Sequence, residues 1–131
     1  MDGRFTYKPF SMIVLCSKEH QPRMARYRGR IVRPAFEDTL YPHDKEHQAA
    51  LVAAKKVANE LYNGGRVLVT CTAGLNRSGL VTGLALCMGT TLHGENIVRL
   101  IRRARGEDAL SNRTFEKIVR DFAQGKDRHR V

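Results

Sequence analysis

Short apolar runs alternate with longer amphipathic runs along this chain of 131 residues. Ser11 to Cys16 is apolar and rich in β-formers, which predicts a buried strand, and Arg30 to Arg33 predicts a second strand that ends at Pro34. Arg66 to Thr70 has the same character, follows Asn63-Gly64-Gly65, and is expected to be the central strand. The alternation of strands and helices predicts an α/β domain with a central, mostly parallel sheet flanked by helices.

Four helices are predicted from the 3.6-residue period, over residues 44–62, 78–88, 94–105 and 113–124. The second is apolar on all sides and is therefore expected to be buried. The inner face of the first helix is predicted to carry Leu51, Ala54, Ala58 and Leu61. That of the third is predicted to carry Ile97, Leu100, Ile101 and Ala104, and that of the fourth Phe115, Ile118, Val119 and Phe122. Thr91 and Ser111 are candidate N-caps for the last two helices. Residues 4–8 predict a short edge strand, and residues 126–131 a frayed charged tail.

The junction between the third strand and the second helix carries the candidate chemistry. Cys71 follows the strand, Gly74 lies in the loop, and Arg77-Ser78-Gly79 opens the helix. Sixteen residues are arginine, so the Cys-to-Arg spacing of six is weak evidence by itself, but its strand–loop–helix context is specific. A helix N-terminus directs backbone N–H groups at one point, which favours a bound anion and an ionised cysteine. The pattern predicts a nucleophile that cleaves phosphate esters.

Composition limits the setting of this chemistry. The length indicates one domain. A net charge of +10, with 23 basic and 13 acidic residues, favours anionic partners, and arginines cluster over residues 23–33 and 99–105.

No secretory signal or membrane-spanning run is evident, so a cytoplasmic location and reduced thiols are expected. Cys16 and Cys87 are expected to be core residues. His43 and His47 have no third ligand at suitable spacing, so we expect no metal and no cofactor.

The loop resembles the signature Cys-x-x-Gly-x-x-Arg-Ser/Thr of the cysteine-dependent protein tyrosine phosphatases, most closely their compact dual-specificity branch. The likeness extends over residues 11–123. Phe36-Glu37-Asp38 lies where that branch has its acidic loop, 33 residues before Cys71, and Ser111 to Phe115 resembles the Asn-x-x-Phe segment that opens its last helix. The family usually has histidine before the cysteine, where this chain has Thr70. That departure predicts a less readily ionised nucleophile and weaker, but not absent, activity.

Each loop residue can be given an expected role. Cys71 is the nucleophile, which forms a phosphocysteine intermediate. The Arg77 guanidinium is a bidentate clamp on the phosphate, and Ser78 donates a hydrogen bond to the sulfur. Asp38 is the expected general acid, with Asp44 as its rival and Glu37 third. Backbone amides hold the phosphate oxygens, and they belong to Thr72, Ala73, Gly74, Leu75, Asn76 and Arg77. The Asn76 side chain is expected to brace the loop.

Three functions remain open from the sequence. The first is a monomeric protein phosphatase that acts on phosphotyrosine and, through a shallow pocket, on phosphoserine and phosphothreonine. The second is a phosphatase for a polyanion such as an RNA 5′-triphosphate or a phosphoinositide, which the basic surface would suit. RNA triphosphatases of this superfamily typically lack the general acid, because a phosphoanhydride has a good leaving group. The third is a pseudophosphatase that binds phosphate without turnover.

Overall fold

A computed structural model describes residues 9–72 and 75–128. The chain order of its elements is β1 (Met12–Leu15), β2 (Arg30–Val32), α1 (Asp44–Tyr62), β3 (Val67–Thr70), α2 (Asn76–Gly89), α3 (Gly94–Arg105) and α4 (Arg113–Arg128). The predicted α/β architecture is confirmed. No helix within the two described ranges is long and apolar enough to cross a membrane.

The three strands form a parallel sheet in the order β2-β1-β3. In its register, Leu15 of β1 lies opposite Thr70 of β3. The expectation that β3 is the central strand is wrong for the described strands, since β1 occupies the middle. Burial gives the physical reason, because all four residues of β1 are buried whereas those of β3 are half-buried. The edge strand expected at residues 4–8 lies outside the described residues.

Helix α2 is the centre of the domain, as its uniformly apolar sequence predicts. Ten of its fourteen residues are buried, and it packs against α1, α3, α4 and β3. Gly83 allows the close approach of α4, because a Cβ at this position would lie 2.8 Å from a methyl group of Val119. This packing fixes the first turn of α2, which begins at Asn76, two residues before the predicted start.

The inner faces of α1 and α3 match the prediction only in part, at Ala54, Ile97 and Ile101. In α1 the buried residues are Ala50, Ala53, Ala54 and Val57, and in α3 they are Gly94, Ile97, Val98 and Ile101. Leu61 and Leu100 are each 47% exposed, and Ala104 is also exposed. Both helices carry apolar residues on two adjacent stripes, and the periodicity alone cannot choose which stripe meets the core. In α4 the predicted Phe115 and Val119 are buried, Ile118 is half-buried, and Phe122 is 37% exposed.

Both predicted N-caps are wrong. The N-cap position of α3 is occupied by His93, not by Thr91, and the His93 side chain does not cap the helix. In the segment before α3, the hydroxyl of Thr90 accepts a hydrogen bond from the Leu92 N–H at 3.3 Å. At α4 the cap is Asn112, whose Oδ1 accepts hydrogen bonds from the N–H groups of Thr114 and Phe115 at 3.0 and 3.1 Å. The backbone of α4 continues to Arg128, into the predicted frayed tail, and residues 129–131 lie outside the described residues.

Candidate active site

The candidate loop lies at the carboxyl edge of the sheet, between the end of β3 and the start of α2. Leu75, the residue before α2, has a left-handed backbone with φ 54°, and no side chain caps the helix. A non-glycine residue in this region costs about 1–3 kcal/mol and is common at functional sites. The first-turn N–H groups have no partner within the helix and can bind an anion. Ala73 and Gly74, expected to contribute amides, lie outside the described residues.

Cys71 and Ser78 are brought together as predicted. Cys71 Sγ lies 3.2 Å from Ser78 Oγ, and the cysteine is half-buried. If the sulfur is ionised, the serine hydroxyl is the donor of this hydrogen bond. The hydroxyl of Thr70, which replaces the usual histidine, donates to the Val14 carbonyl at 3.3 Å. Thr70 therefore links β3 to β1.

Arg77 is buried, with 4% of its surface exposed. Its Nη1 donates to Glu19 Oε1 at 2.6 Å and to the Phe36 carbonyl at 3.2 Å. Its Nη2 donates to Glu19 Oε2 at 2.7 Å and to Thr72 Oγ1 at 2.7 Å. Its Nε is buried and has no hydrogen-bond partner among the described residues. A buried, unpartnered guanidinium N–H is costly, and a bound oxyanion would satisfy it.

Glu19 is the principal residue that the sequence reasoning missed. It follows β1, and its carboxylate forms a two-bond ion pair with the terminal nitrogens of Arg77. The hydrogen bonds from Arg77 and then Thr72 lower the pKa of Glu19 to about 2. Hydrogen bonding to Glu19 raises the pKa of Arg77, and the charges of Glu19, Cys71 and Asp38 raise it further, while burial acts in the opposite direction. Both side chains therefore remain charged at neutral pH.

Ser17, also missed from the sequence, fixes the beginning of the loop. This buried serine accepts a hydrogen bond from the Thr72 N–H at 2.6 Å and donates to Thr72 Oγ1 at 3.2 Å. The Thr72 hydroxyl donates to Glu19 Oε2 at 2.7 Å. The Thr72 amide, expected among the phosphate donors, is thus already engaged by Ser17. The signal for these contacts was the polar Ser-Lys-Glu directly after a buried strand parallel to β3.

Asp38 lies beside the first turn of α2 and is held by two asparagines. Its Oδ2 accepts from Asn76 Nδ2 at 3.0 Å, and its Oδ1 accepts from Asn112 Nδ2 at 2.7 Å. Asn76 Oδ1 in turn accepts from the Asn112 N–H at 2.8 Å and from the Ser111 hydroxyl at 3.3 Å. Asn76 therefore braces the loop, as predicted. Asn112, the α4 cap, was not predicted to hold the acidic loop.

The two rival acids are placed differently. Asp44 is the first residue of α1 and is exposed, and within the described parts of the chain its side chain forms no hydrogen bond or ion pair. Glu37 is exposed and pairs with Lys18 at 3.6 Å. Of the three candidates, Asp38 is the one whose carboxylate contacts a loop residue.

The remaining cysteines are core residues, as expected. Cys16 and Cys87 are both fully buried. Burial, followed by the nearby Cys71, raises the pKa of Cys16 to about 12, although Arg77 acts in the opposite direction. Cys16 therefore stays protonated beside the candidate nucleophile. Within residues 9–72 and 75–128, no group of three or more His, Cys, Asp or Glu side chains could hold a metal ion.

A separate apolar cavity of about 300 Å³ lies between β3, α2 and α3. Leu75 and Ser78 line one side of it, and Leu100 and Ala104 line another. Of the described residues that line it, Arg105 is the one that is charged. The described walls of this cavity are mostly apolar, and we do not assign it to the chemistry at Cys71.

No protein-family model matches the sequence. Solved structures resemble the fold closely. Tk-PTP in its active form is 18% identical, with a TM-score of 0.72 over 88% of this chain and 79% of that chain. A mutant form of Tk-PTP gives a TM-score of 0.74 at 19% identity, over 90% of this chain and 79% of that one. Kinase associated phosphatase, with its catalytic site cysteine changed to serine, is 18% identical, with a TM-score of 0.67 over 88% of this chain and 70% of that chain.

These neighbours are tyrosine or dual-specificity phosphatases. The chain has the dual-specificity-like fold of the cysteine-dependent protein tyrosine phosphatases, as the signature loop indicated.

Proposed function

We propose that this protein is a metal-independent phosphatase that hydrolyses phosphotyrosine, and also phosphoserine or phosphothreonine, in proteins through a phosphocysteine intermediate. The observation that carries the proposal is the Nε of Arg77, which is buried without a hydrogen-bond partner among residues 9–72 and 75–128, in a side chain whose pKa is raised by Glu19 and also by the charge of Cys71. A serine hydroxyl lies 3.2 Å from the sulfur of that cysteine. The net charge of +10 supports an anionic substrate.

In the first step, the phosphate lies over Cys71 and is held by the first-turn amides of α2 and by Arg77 Nε. The thiolate attacks phosphorus in line with the departing oxygen, so an S–P bond forms as the P–O bond breaks. Asp38 gives its proton to the departing alcohol. Preorganised donors stabilise the charge on the equatorial oxygens, which is usually the largest catalytic contribution.

In the second step, a water molecule attacks the phosphocysteine and gives its proton to Asp38. The S–P bond breaks, inorganic phosphate leaves, and Cys71 is again a thiolate. The Ser78 hydroxyl, whose oxygen lies 3.2 Å from Cys71 Sγ, then donates a hydrogen bond to this leaving sulfur and stabilises its negative charge. No metal or cofactor takes part in either step.

The test is phosphate release by the wild type from a phosphotyrosyl peptide, with Cys71→Ser alongside. We expect turnover by the wild type and background release by Cys71→Ser, because a serine hydroxyl is not ionised at neutral pH. After acid quenching, mass spectrometry should find the wild-type peptide that contains Cys71 with one added phosphoryl group.

Cys87→Ser is the matched control, since the replacement hydroxyl can donate to the Val119 carbonyl that Cys87 contacts at 3.6 Å. We expect it to retain activity. Phosphopeptide binding without release, equal in wild type and Cys71→Ser, would identify a pseudophosphatase instead.

A further inference from the structure

We propose that Glu19 is a positioning residue: its carboxylate holds the terminal nitrogens of Arg77 so that Nε remains for the substrate phosphate. The inference rests on the proposed function and adds a residue outside the signature loop to the phosphate site. It changes the role expected for Arg77, whose whole fork was assigned to the phosphate.

Counting the guanidinium donors leads to this assignment. Arginine has five N–H donors in one plane. The four on Nη1 and Nη2 are matched by four contacts, two to Glu19, one to the Phe36 carbonyl and one to Thr72 Oγ1. The fifth, on Nε, is buried without a partner among the described residues. A guanidinium fixed on both terminal nitrogens cannot rotate, so the direction of its Nε–H is fixed before substrate arrives.

Glu19 can hold the guanidinium because its own segment is also fixed by contacts outside the loop. The segment begins at Ser17, which pairs with Phe36 through an isolated parallel bridge. The segment ends at Gln21, whose side-chain Nε2 donates hydrogen bonds to the Leu15 and Ser17 carbonyls at 2.9 and 2.8 Å. The backbone segment that carries Glu19 is therefore fixed to the end of β1, and Arg77 is held between that segment and its own helix.

An opposite role for Glu19 would be competition, in which its carboxylate occupies the place of the substrate phosphate. The contacts argue against it. Glu19 occupies Nη1 and Nη2 and leaves Nε, which is the donor that the proposed function assigns to the phosphate. The two roles predict opposite effects on oxyanion affinity when the charge is removed.

The experiment compares wild type, Glu19→Gln and Glu19→Asp by two readouts. The first is kcat and KM for a phosphotyrosyl peptide. The second is the concentration of inorganic phosphate that halves the rate at which iodoacetate alkylates Cys71. This measurement does not depend on turnover. Because misplacement of a reacting group by about 1 Å can cost about 10²-fold, we expect Glu19→Gln to lose up to that factor in kcat/KM, chiefly in kcat. Phosphate protection should weaken as well, and Glu19→Asp should recover part of both losses.

Glu95→Gln is the matched control, because Glu95 also pairs with arginines, at 3.6 Å to Arg99 and 3.8 Å to Arg120, but lies on α3. We expect wild-type values from it. A double-mutant cycle then isolates the action through Arg77: in an Arg77→Ala background, Glu19→Gln should cause no further loss. A loss of equal size in both backgrounds would mean a general structural role and would overturn the inference.

Further outcomes separate this inference from the proposed function. If no phosphate ester is hydrolysed but phosphate still protects Cys71 better in wild type than in Glu19→Gln, the phosphatase proposal fails and the positioning role stands. If the wild type is an active phosphatase and Glu19→Gln matches it in both readouts, the positioning role fails. Tighter phosphate protection in Glu19→Gln would show competition and would also overturn it.

Discussion

Arg77→Lys is expected to lower kcat by about 10³–10⁵-fold, the range known for arginines that stabilise a transferring phosphoryl group. Arg77 is 4% exposed and contacts Glu19, Phe36 and Thr72 at once. A lysine ammonium is a single charged centre without a rigid fork. It cannot satisfy these partners and also give an N–H to the phosphate.

The measurement is kcat and KM on a phosphotyrosyl peptide, together with a thermal melt. The melt is needed because losing the partner of the buried Phe36 carbonyl also destabilises the fold, by about 1–3 kcal/mol for a buried polar group left unpaired. Arg105→Lys is the control, since Arg105 is an exposed residue on α3. An Arg77→Lys variant that is folded and within tenfold of wild type would contradict the assignment of Arg77 to the phosphate.

Asp38→Asn is expected to lower kcat by about 10²–10⁴-fold on esters with poor leaving groups, which is the usual contribution of a general acid. The loss should shrink as the leaving group improves, because a good leaving group departs without a proton. The measurement is therefore kcat/KM across a series of aryl and alkyl phosphates. We expect a weak dependence on leaving-group pKa in wild type and a steep one in Asp38→Asn.

Two comparisons separate acid catalysis from bracing. Asp38 accepts hydrogen bonds from Asn76 and Asn112, so Asp38→Asn also weakens the loop support. Asn112→Ala removes one of these bonds and keeps the acid, so its loss should be equal for all leaving groups. If Asp44→Asn shows the steep dependence and Asp38→Asn does not, Asp44 is the acid. The triphosphatase alternative is favoured if Asp38→Asn cleaves a triphosphate RNA end as well as the wild type does, while both the wild type and Asp38→Asn hydrolyse phosphate esters slowly.

Several features of the site were predictable because they depend on neighbours in the sequence. The strand that ends at Thr70, the helix that opens near Asn76 and the cysteine and arginine between them lie within a dozen residues. Their proximity follows from local propensity and the geometry of a strand–loop–helix turn. The contact between Cys71 and Ser78, seven residues apart, belongs to this class.

The residues that were missed contact the loop from far along the chain. Glu19 is 58 residues from Arg77, and Ser17 is 55 residues from Thr72. Asn112 reaches Asp38 across 74 residues. These contacts exist because β1 pairs in parallel with β3, which brings the segment after Leu15 beside the segment after Thr70. Hydrophobic patterning predicts the strands, but it does not determine which strands are neighbours or in what register.

The sequence by itself determined the candidate chemistry of this protein: a cysteine, an arginine and a serine at spacings that the end of a strand and a helix N-terminus bring together. The tertiary structure alone decided how the arginine is held, which acid reaches the loop, which helix faces meet the core and which strand is central. The physical reason is that local conformation follows from each residue and its neighbours, whereas the partners of a buried charge follow from the packing of the whole chain.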